Sequence, residues 1–174
     1  MEKLSNLFRK VKLLILDVDG VLTKGEIIYD SSGKELKVFN VKDGLGVYII
    51  GKAGIKVVLL TAKDSKAVRK RAHDMGADLY GGVLPKEKVL SVIKKKYNVT
   101  DKEICFVGDD LIDIGVMRKV GLPIAVKDAP EDVRKAAVYV TKHKGGEGAV
   151  REVIERILKS KGLWEKSLKK AVFS

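Results

Sequence analysis

Four short apolar runs, alternating with segments of helical periodicity, most strongly constrain the fold of this 174-residue chain. The runs lie at residues 12–18, 56–61, 103–108 and, more weakly, 122–126. Continuous apolar runs of this length are typical of parallel strands that are buried on both faces. The helical periodicity predicts helices over residues 66–75 (with Ser65 as N-cap), 86–97, 111–120 and 147–158. We therefore predict one doubly wound, Rossmann-like α/β domain over residues 1–174, with a parallel sheet and helices on both faces.

One segment interrupts this alternation. Two short β-rich stretches within residues 27–39 flank the turn sequence Asp30-Ser31-Ser32-Gly33, which predicts a β-hairpin between the first strand and the first helix. Its apolar side chains are too many for one face, so we expect the hairpin to pair with copies of itself, giving an even-numbered homo-oligomer. A hairpin that folds flat over its own sheet is the alternative.

The last residues, about 162–174, contain Trp164 and Phe173 in a lysine-rich setting and are expected to form a tail. Such a basic tail could reach the site of a neighbouring subunit and help to close it.

The charge balance is unusual, because 35 Lys and Arg residues face 23 Asp and Glu residues, a net charge of +12. The positive charge is spread along the chain, and the aromatic residues do not interleave with the basic runs. We therefore expect solvated helix faces, with an anionic substrate as a further reason for the charge, and no nucleic-acid partner.

No apolar run approaches the roughly 20 residues of a membrane helix, so we expect no membrane partner. The first twelve residues do not have the pattern of a signal peptide. The single cysteine, Cys105, lies in an apolar run and is expected in the core. Together these features predict a cytoplasmic protein.

Polar side chains follow each predicted strand at its carboxyl end, where open α/β sheets bind their ligands. These side chains are Asp17, Asp19, Thr61, Asp109, Asp110 and Asp113, and a loop before the next long helix carries Lys86. Carboxylates crowded at one edge repel one another, and Mg²⁺ suits such a set together with waters and a phosphate oxygen. Taken singly, the acids would be turn residues, Thr61 a helix cap and Lys86 a surface lysine. Together, the hydroxyl of Thr61 and the positive charge of Lys86 suit a phosphoryl group.

This combination predicts phosphate-ester hydrolysis. The uncatalysed reaction is so slow that up to about 10²¹-fold acceleration is needed. An aspartyl-phosphate intermediate divides it into two easier steps. One carboxylate then acts as nucleophile, while a second protonates the leaving oxygen and later deprotonates water. Asp17 and Asp19, two residues apart, supply both roles.

At this point a family resemblance is evident over about residues 13–153. The resemblance rests on four motifs: Asp17-Val18-Asp19-Gly20-Val21-Leu22-Thr23, Thr61, Lys86 and Gly108-Asp109-Asp110-Leu111-Ile112-Asp113. In this order they resemble the four motifs of the haloacid dehalogenase-like phosphatases. The chain is most similar to one branch, the 3-deoxy-D-manno-octulosonate 8-phosphate phosphatases of lipopolysaccharide biosynthesis. The branch signature is the hairpin followed by Phe39-Asn40-Val41-Lys42-Asp43-Gly44-Leu45-Gly46, together with Val116-Met117 and Gly145-Gly146-Glu147-Gly148-Ala149-Val150-Arg151-Glu152.

The resemblance implies how the acids divide their work. Asp17 would be the nucleophile and a Mg²⁺ ligand. Asp19 would be the general acid/base and a ligand through its backbone carbonyl. Asp109 would be the third protein ligand, with Asp110 and Asp113 in support.

The resemblance also implies the binding residues and the assembly. Thr61 and Lys86 would hold the phosphoryl oxygens of a small anionic sugar phosphate. The residues expected to line the sugar site are Asn40, Lys42, Asp43, Gly44, Lys63 and Arg71. Members of the branch have no cap domain, and four subunits assemble through their hairpins so that neighbours cover one another's sites.

Three positions depart from the branch pattern. Ala62-Lys63 stands in place of Gly-Arg, Lys42 in place of Arg, and Glu147 where a basic residue is common. A lysine keeps the charge but lacks the bidentate fork that suits a carboxylate. A nine-carbon sialic-type sugar-acid 9-phosphate is therefore an alternative substrate, although the cation at Lys63 favours the eight-carbon one.

Two other classes of protein are alternatives to the phosphatase interpretation. A phosphoacceptor receiver domain is also α/β, but its phosphorylated Asp ends a middle strand, where this chain has Thr61. A nucleic-acid-binding module is supported only by the charge. The sequence has neither the G-x-G-x-x-G pattern of a dinucleotide site nor a P-loop.

Overall fold

The core of the molecule is a six-stranded parallel sheet. The computed structural model describes residues 2–172. The strands of the sheet are β1 (Leu13–Leu16), β4 (Lys56–Thr61), β5 (Asp78–Gly81), β6 (Ile104–Gly108), β7 (Leu122–Ala125) and β8 (Tyr139–Val140). They are arranged in the order β5-β4-β1-β6-β7-β8, and all neighbouring pairs are parallel. Leu14 of β1 lies opposite Val57 on one side and Cys105 on the other. The four predicted apolar runs are thus confirmed as strands.

Helices cover both faces of the sheet, and every residue of the central strand β1 is therefore buried. The helices are α1 (Glu2–Lys10), α2 (Val41–Lys52), α3 (Lys66–Met75), α4 (Leu90–Tyr97), α5 (Ile114–Met117), α6 (Glu131–Ala136), α7 (Ala149–Ser160) and α8 (Trp164–Val172). Short 3₁₀ turns precede α4, β6 and α5. The helices α1, α2, α7 and α8 pack together as one group, while α5 packs against α6 and the turn before α4. This arrangement confirms the predicted doubly wound α/β class.

The helix α3 shows how closely local sequence sets an element. Its predicted bounds, residues 66–75, agree with the structure. The Ser65 hydroxyl accepts a hydrogen bond from the Val68 N–H at 3.3 Å, which satisfies one free donor of the first turn. Gly76 ends the helix at φ +67°, a left-handed conformation that glycine adopts without steric cost.

The predicted hairpin is also present. β2 (Ile28–Tyr29) pairs antiparallel with β3 (Glu35–Leu36). The Asp30 carboxylate accepts from the backbone N–H groups of Ser32 and Lys34, both at 2.9 Å, and so fixes the turn. Several apolar side chains of this ribbon are exposed, with Ile27, Tyr29 and Val38 each more than 60% accessible. The hairpin therefore does not fold flat over its own sheet.

The segment expected to be a tail forms a helix instead. α8 (Trp164–Val172) packs against α2 and α7 of the same chain. The guanidinium of Arg151 lies 5.3 Å from the centre of the Trp164 ring, and Ser167 is buried. The lysines of this segment occupy the outer face of an amphipathic helix, which explains why the sequence suggested a tail. Phe173 lies outside the described residues.

The edge strands β5 and β8 and the helices α1, α2 and α6 were not predicted from the sequence. Residues 2–172 contain no helix that is long and apolar enough to cross a membrane.

Candidate active site

The predicted acids converge at the carboxyl ends of the central strands. Asp17 follows β1, Thr61 ends β4 and Asp109 follows β6. They meet in a cavity of about 210 Å³. Its lining consists of Asp17, Asp19, Gly25, Thr61, Ala62, Lys63, Lys86, Asp109, Asp110 and Ile112. The convergence expected from the order of the strands is therefore observed.

Lys86 is the fully buried cation of this site. Its Nζ lies 2.6 Å from Asp17 Oδ1 and 2.7 Å from Asp113 Oδ1. Burial lowers the pKa of Lys86, but the Asp17 and Asp113 carboxylates outweigh this and raise it above its usual range. The interpretation of Lys86 as a surface lysine is thus wrong, and the lysine is a fixed positive charge beside the predicted nucleophile.

Three carboxylates lie close enough to share a cation. Asp17, Asp109 and Asp113 each offer an oxygen, and these oxygens lie within 4.8 Å of one another. Burial, followed by repulsion from Asp113, raises the pKa of Asp17 to about 6 against the opposing effect of Lys86. Burial, together with the charges of Asp17 and Asp113, raises the pKa of Asp109 to about 9. Burial is the main cause of both shifts, and crowded negative charge, which a cation would neutralise, adds to it.

The hydrogen bonds separate the roles of these acids. Asp113 Oδ1 accepts from Lys86, and its Oδ2 accepts from the N–H groups of Asp109 (2.9 Å) and Asp110 (3.3 Å). In contrast, Asp109 Oδ1 is buried and has no hydrogen-bond partner among the described residues. Asp110 caps the following turn by accepting from the Leu111 N–H at 2.7 Å. The geometry fits a hard divalent cation on Asp17 and Asp109, with Asp113 holding the Asp109 loop in place.

Gly20 leaves the space that the Asp109 carboxylate occupies. A Cβ atom at Gly20 would overlap that carboxylate, and the residue has φ +85°. The glycine-rich loop at residues 145–148 supports the same region, because the Gly146 N–H donates to the Val21 carbonyl at 2.9 Å. Asp128, which sequence reasoning did not single out, anchors this loop by accepting from the Gly145 N–H at 3.0 Å.

Asp19 has a partner that the sequence analysis did not identify. Its side chain is 37% exposed and is ion-paired with Lys37, whose side chain is only 4% exposed. Lys37 also lies 2.9 Å from Glu35, and Glu35 is paired with Lys63. Burial lowers the pKa of Lys37, but Asp19 and Glu35 outweigh it and raise the pKa. The alternation of charged and apolar residues in Glu35-Leu36-Lys37-Val38 was the signal that could have revealed this cluster.

Thr61 is buried at the end of β4 with its hydroxyl directed to the next loop. Its Oγ1 accepts from the Lys63 N–H and donates to the Lys63 carbonyl, both at 3.1 Å. It therefore fixes the backbone of the residue expected to face the sugar acid. Of the six predicted sugar-contacting residues, Lys63 is the one that lines the cavity with Asp17.

The segment before α2 is built around Asn40. Its Oδ1 accepts from the Lys42 N–H at 2.8 Å and its Nδ2 donates to the Gly146 carbonyl at 3.0 Å, so it caps α2 and ties it to the glycine-rich loop. Arg71 Nη2 donates to the Asn40 carbonyl at 3.0 Å, and the guanidinium lies 5.4 Å from the centre of the Phe39 ring. Arg71 is thus directed to this segment.

The remaining predicted sugar-contacting residues have other surroundings. Asp43 is fully buried and accepts from the N–H groups of Gly148 (3.3 Å) and Arg151 (2.8 Å). Burial raises its pKa. Gly44 has no room for a Cβ atom, which would overlap the Arg71 guanidinium. Lys42 lines a separate cavity of about 540 Å³ beside α7, so Asp43 and Lys42 do not face the space beside Asp17.

Comparison with known proteins identifies similar chains. Residues 63–154 match the family model described as haloacid dehalogenase-like hydrolase. The 3-deoxy-D-manno-octulosonate 8-phosphate phosphatase of Escherichia coli strain K12 is 43% identical over 153 residues, which cover 87% of this chain and 81% of that protein. The Haemophilus influenzae phosphatase of the same name is 39% identical over 162 residues, covering 92% and 88%. A solved structure of the Moraxella catarrhalis phosphatase, in complex with a magnesium ion, a phosphate ion and a KDO molecule, aligns with a TM-score of 0.94 at 35% identity, covering 98% of each chain.

Proposed function

This chain belongs to the haloacid dehalogenase-like hydrolases and, within them, to the 3-deoxy-D-manno-octulosonate 8-phosphate phosphatases, and we propose that it hydrolyses that sugar phosphate. The products are the free sugar acid and inorganic phosphate. This reaction is a step of lipopolysaccharide biosynthesis. The observation that carries the proposal is the buried ion pair of Asp17 and Lys86 beside Asp109. Asp19, two residues after Asp17 in the sequence, lines the same cavity.

Asp17 is proposed as the nucleophile. One of its oxygens attacks phosphorus, the bond between phosphorus and the sugar oxygen breaks, and Asp19 gives its proton to the departing oxygen. Asp19 then takes a proton from water, the water oxygen attacks phosphorus, and the bond to Asp17 breaks. Phosphate leaves, Asp17 is again a carboxylate, and Asp19 is again the protonated acid with which the cycle began.

Lys86 and Thr61 are proposed to bind the phosphoryl oxygens. The ammonium of Lys86 is already held by two carboxylates, so its position is fixed before the substrate arrives. A preorganised charge stabilises the negative charge of the transition state without reorganising during the reaction.

Asp17 and Asp109 are proposed to hold Mg²⁺, together with the backbone carbonyl of Asp19. The unpartnered, buried Asp109 Oδ1 supports this assignment. Bound Mg²⁺ supplies positive charge that neutralises these carboxylates and polarises the phosphoryl group. Asp113 supports the site through its bonds to Lys86 and to the backbone of Asp109 and Asp110.

Lys63 and Arg71 are the cations proposed for the carboxylate of the sugar acid. Lys63 lies in the cavity wall with its side chain about half exposed, and its ammonium is ion-paired with Glu35. Asn40 and Gly44 position Arg71 at the adjacent segment. Lys42 and Asp43 are not proposed to contact the sugar, because Asp43 is buried against Gly148 and Arg151 and Lys42 lines a separate cavity.

The hairpin is proposed to build a homotetramer. Its exposed residues Ile27, Tyr29 and Val38 would cost free energy in water, and burying them between copies removes that cost. A neighbouring subunit would then cover a site that has no cap of its own.

Cytoplasmic location stays a prediction, which fractionation of cells producing the protein would test.

The test of the function is a comparison of two substrates. Purified protein with Mg²⁺ is supplied with 3-deoxy-D-manno-octulosonate 8-phosphate or with a nine-carbon sialic-type 9-phosphate, and phosphate release is measured. We expect kcat/KM to be higher for the eight-carbon ester, and no release by the Asp17→Asn variant. A preference for the nine-carbon ester would assign the chain to the alternative substrate, and no release from either ester would contradict the proposal.

A further inference from the structure

We propose that Lys37, on the returning arm of the hairpin, is a positioning residue that holds Asp19 in place for proton transfer to the leaving oxygen. This inference rests on the proposed function, in which Asp19 is the general acid/base. Lys37 is not assigned a contact with the phosphoryl group or with the metal ion, and it acts through the Asp19 carboxylate.

The first support is the burial of Lys37. Its neighbours Leu36 and Val38 are 44% and 67% exposed, whereas the Lys37 side chain is 4% exposed. Side chains of an extended segment alternate between faces, so Lys37 is directed inward while its neighbours are directed outward. A lysine is seldom buried unless it is paired, and Lys37 is paired twice, with Asp19 and with Glu35.

The second support is how Lys86 and Lys37 divide the acids between them. Lys86 contacts Asp17 and Asp113, the predicted nucleophile and its supporting acid. Lys37 contacts Asp19, which lies at the more exposed side of the cavity. A carboxylate that is 37% exposed can adopt several rotamers, and a fixed ammonium beside it favours one of them.

The third support is the anchor of Lys37 itself. Glu35, which is 15% exposed, lies between Lys37 and Lys63. The chain of ion pairs therefore runs from Asp19 through Lys37 and Glu35 to Lys63, the residue proposed to face the sugar acid. Because Glu35 belongs to β3, the hairpin carries a part of the catalytic geometry as well as the exposed apolar surface.

The consequence for catalysis is specific to the leaving group. A misplacement of about 1 Å can reduce a rate about 10²-fold, and general acid–base catalysis as a whole contributes roughly 10²–10⁴-fold. An alkoxide needs a proton as it leaves, whereas p-nitrophenolate is stable without one. Loss of a residue that positions the general acid should therefore impair alkyl phosphates much more than aryl phosphates.

The experiment measures kcat/KM of the Lys37→Met variant with the sugar phosphate and with p-nitrophenyl phosphate, in Mg²⁺. This constant reports the steps up to formation of the aspartyl phosphate. We expect a loss of about 10²-fold for the sugar phosphate and of less than about 10-fold for the aryl ester. Lys37→Arg, which keeps the charge, should recover part of the loss. Lys34→Met, at an exposed position of the same hairpin, is the matched control and should leave both constants nearly unchanged.

Equal losses on both esters would overturn the positioning role, because structural damage does not distinguish between leaving groups. Unchanged constants for both esters would overturn it as well, because Asp19 would then not need Lys37. If the wild-type protein rejects the sugar phosphate but hydrolyses another alkyl phosphate, the proposed substrate fails, and that ester replaces it in the comparison. If the wild-type protein hydrolyses no phosphate ester in Mg²⁺, the proposed function and the role of Lys37 are both wrong.

Discussion

The ammonium of Lys86 lies 2.6 Å from Asp17 Oδ1 in the buried floor of the active site. The same ammonium lies 2.7 Å from Asp113, so one cation balances two carboxylates from different strand ends. Removing one partner of a buried ion pair typically costs about 3–5 kcal/mol, because the remaining charges are uncompensated. We therefore expect both the stability and the activity of the protein to depend on this contact.

The first prediction concerns Lys86→Met. We expect phosphatase activity to be lost and the free energy of unfolding to fall by about 3–5 kcal/mol, because Asp17 and Asp113 then repel each other without a cation between them. Urea denaturation with and without Mg²⁺ measures the change. Lys88→Met, two residues away and exposed, is the control. A Lys86→Met protein as stable as this control would contradict the assignment of Lys86 as the balancing charge.

The second prediction concerns Gly20. Gly20→Ala should weaken Mg²⁺ binding, because the added Cβ would displace the Asp109 carboxylate. Gly33→Ala is a matched control, since Gly33 also has a positive φ (+78°) but has no atom within 4 Å of its Cβ position. Titration with Mg²⁺ should show a higher dissociation constant for the first variant only. Equal constants would show that Gly20 does not shape the metal site.

The third prediction concerns pH and stability without metal. The folded-state pKa of Asp109, about 9, lies above the ordinary value of 3.8, so the folded protein holds a proton that the unfolded chain releases. The contribution of Asp109 to stability is therefore present at acidic pH and is lost as the pH rises from about 4 toward 9. We expect Asp109→Asn in EDTA to gain melting temperature relative to wild type, and to gain more at pH 8 than at pH 5.

The control for this measurement is Asp110→Asn, at the adjacent and exposed position. It should show no such growth of the difference with pH. Added Mg²⁺ should stabilise the wild-type protein at pH 8 and remove most of the advantage of Asp109→Asn. A difference between Asp109→Asn and wild type that is constant from pH 5 to pH 8 would contradict the shifted titration.

Much of the sheet, and the convergence of the acids at one edge of it, could be predicted from sequence, because buried parallel strands are continuously apolar and their carboxyl ends share one edge. The edge strands could not, since Tyr139–Val140 has only two residues. The bounds of α2 were hidden by its three glycines, at positions 44, 46 and 51, which weaken the helical pattern. The contact between Lys37 and Asp19 joins residues 18 positions apart, and only the fold of the hairpin places them together.

The fourth prediction concerns assembly. Val38→Lys should convert the proposed tetramer into smaller species, because a charge would be buried between the apolar hairpins. Val92→Lys, at an exposed apolar position of α4, is the control and should leave the molar mass unchanged. Light scattering at micromolar concentration measures both. A wild-type monomer would contradict the tetramer, and a Val38→Lys tetramer would show that the hairpin does not hold it together.

The most direct test of the mechanism is to trap the aspartyl phosphate. The Asp19→Asn variant should release one equivalent of p-nitrophenolate per site and then stall, because water attack lacks its general base. Borohydride reduces an acyl phosphate to an alcohol, so mass spectrometry of the quenched protein identifies the modified residue. The account predicts homoserine at position 17. Reduction at another aspartate, or a burst of p-nitrophenolate without any modified residue, would contradict Asp17 as the nucleophile.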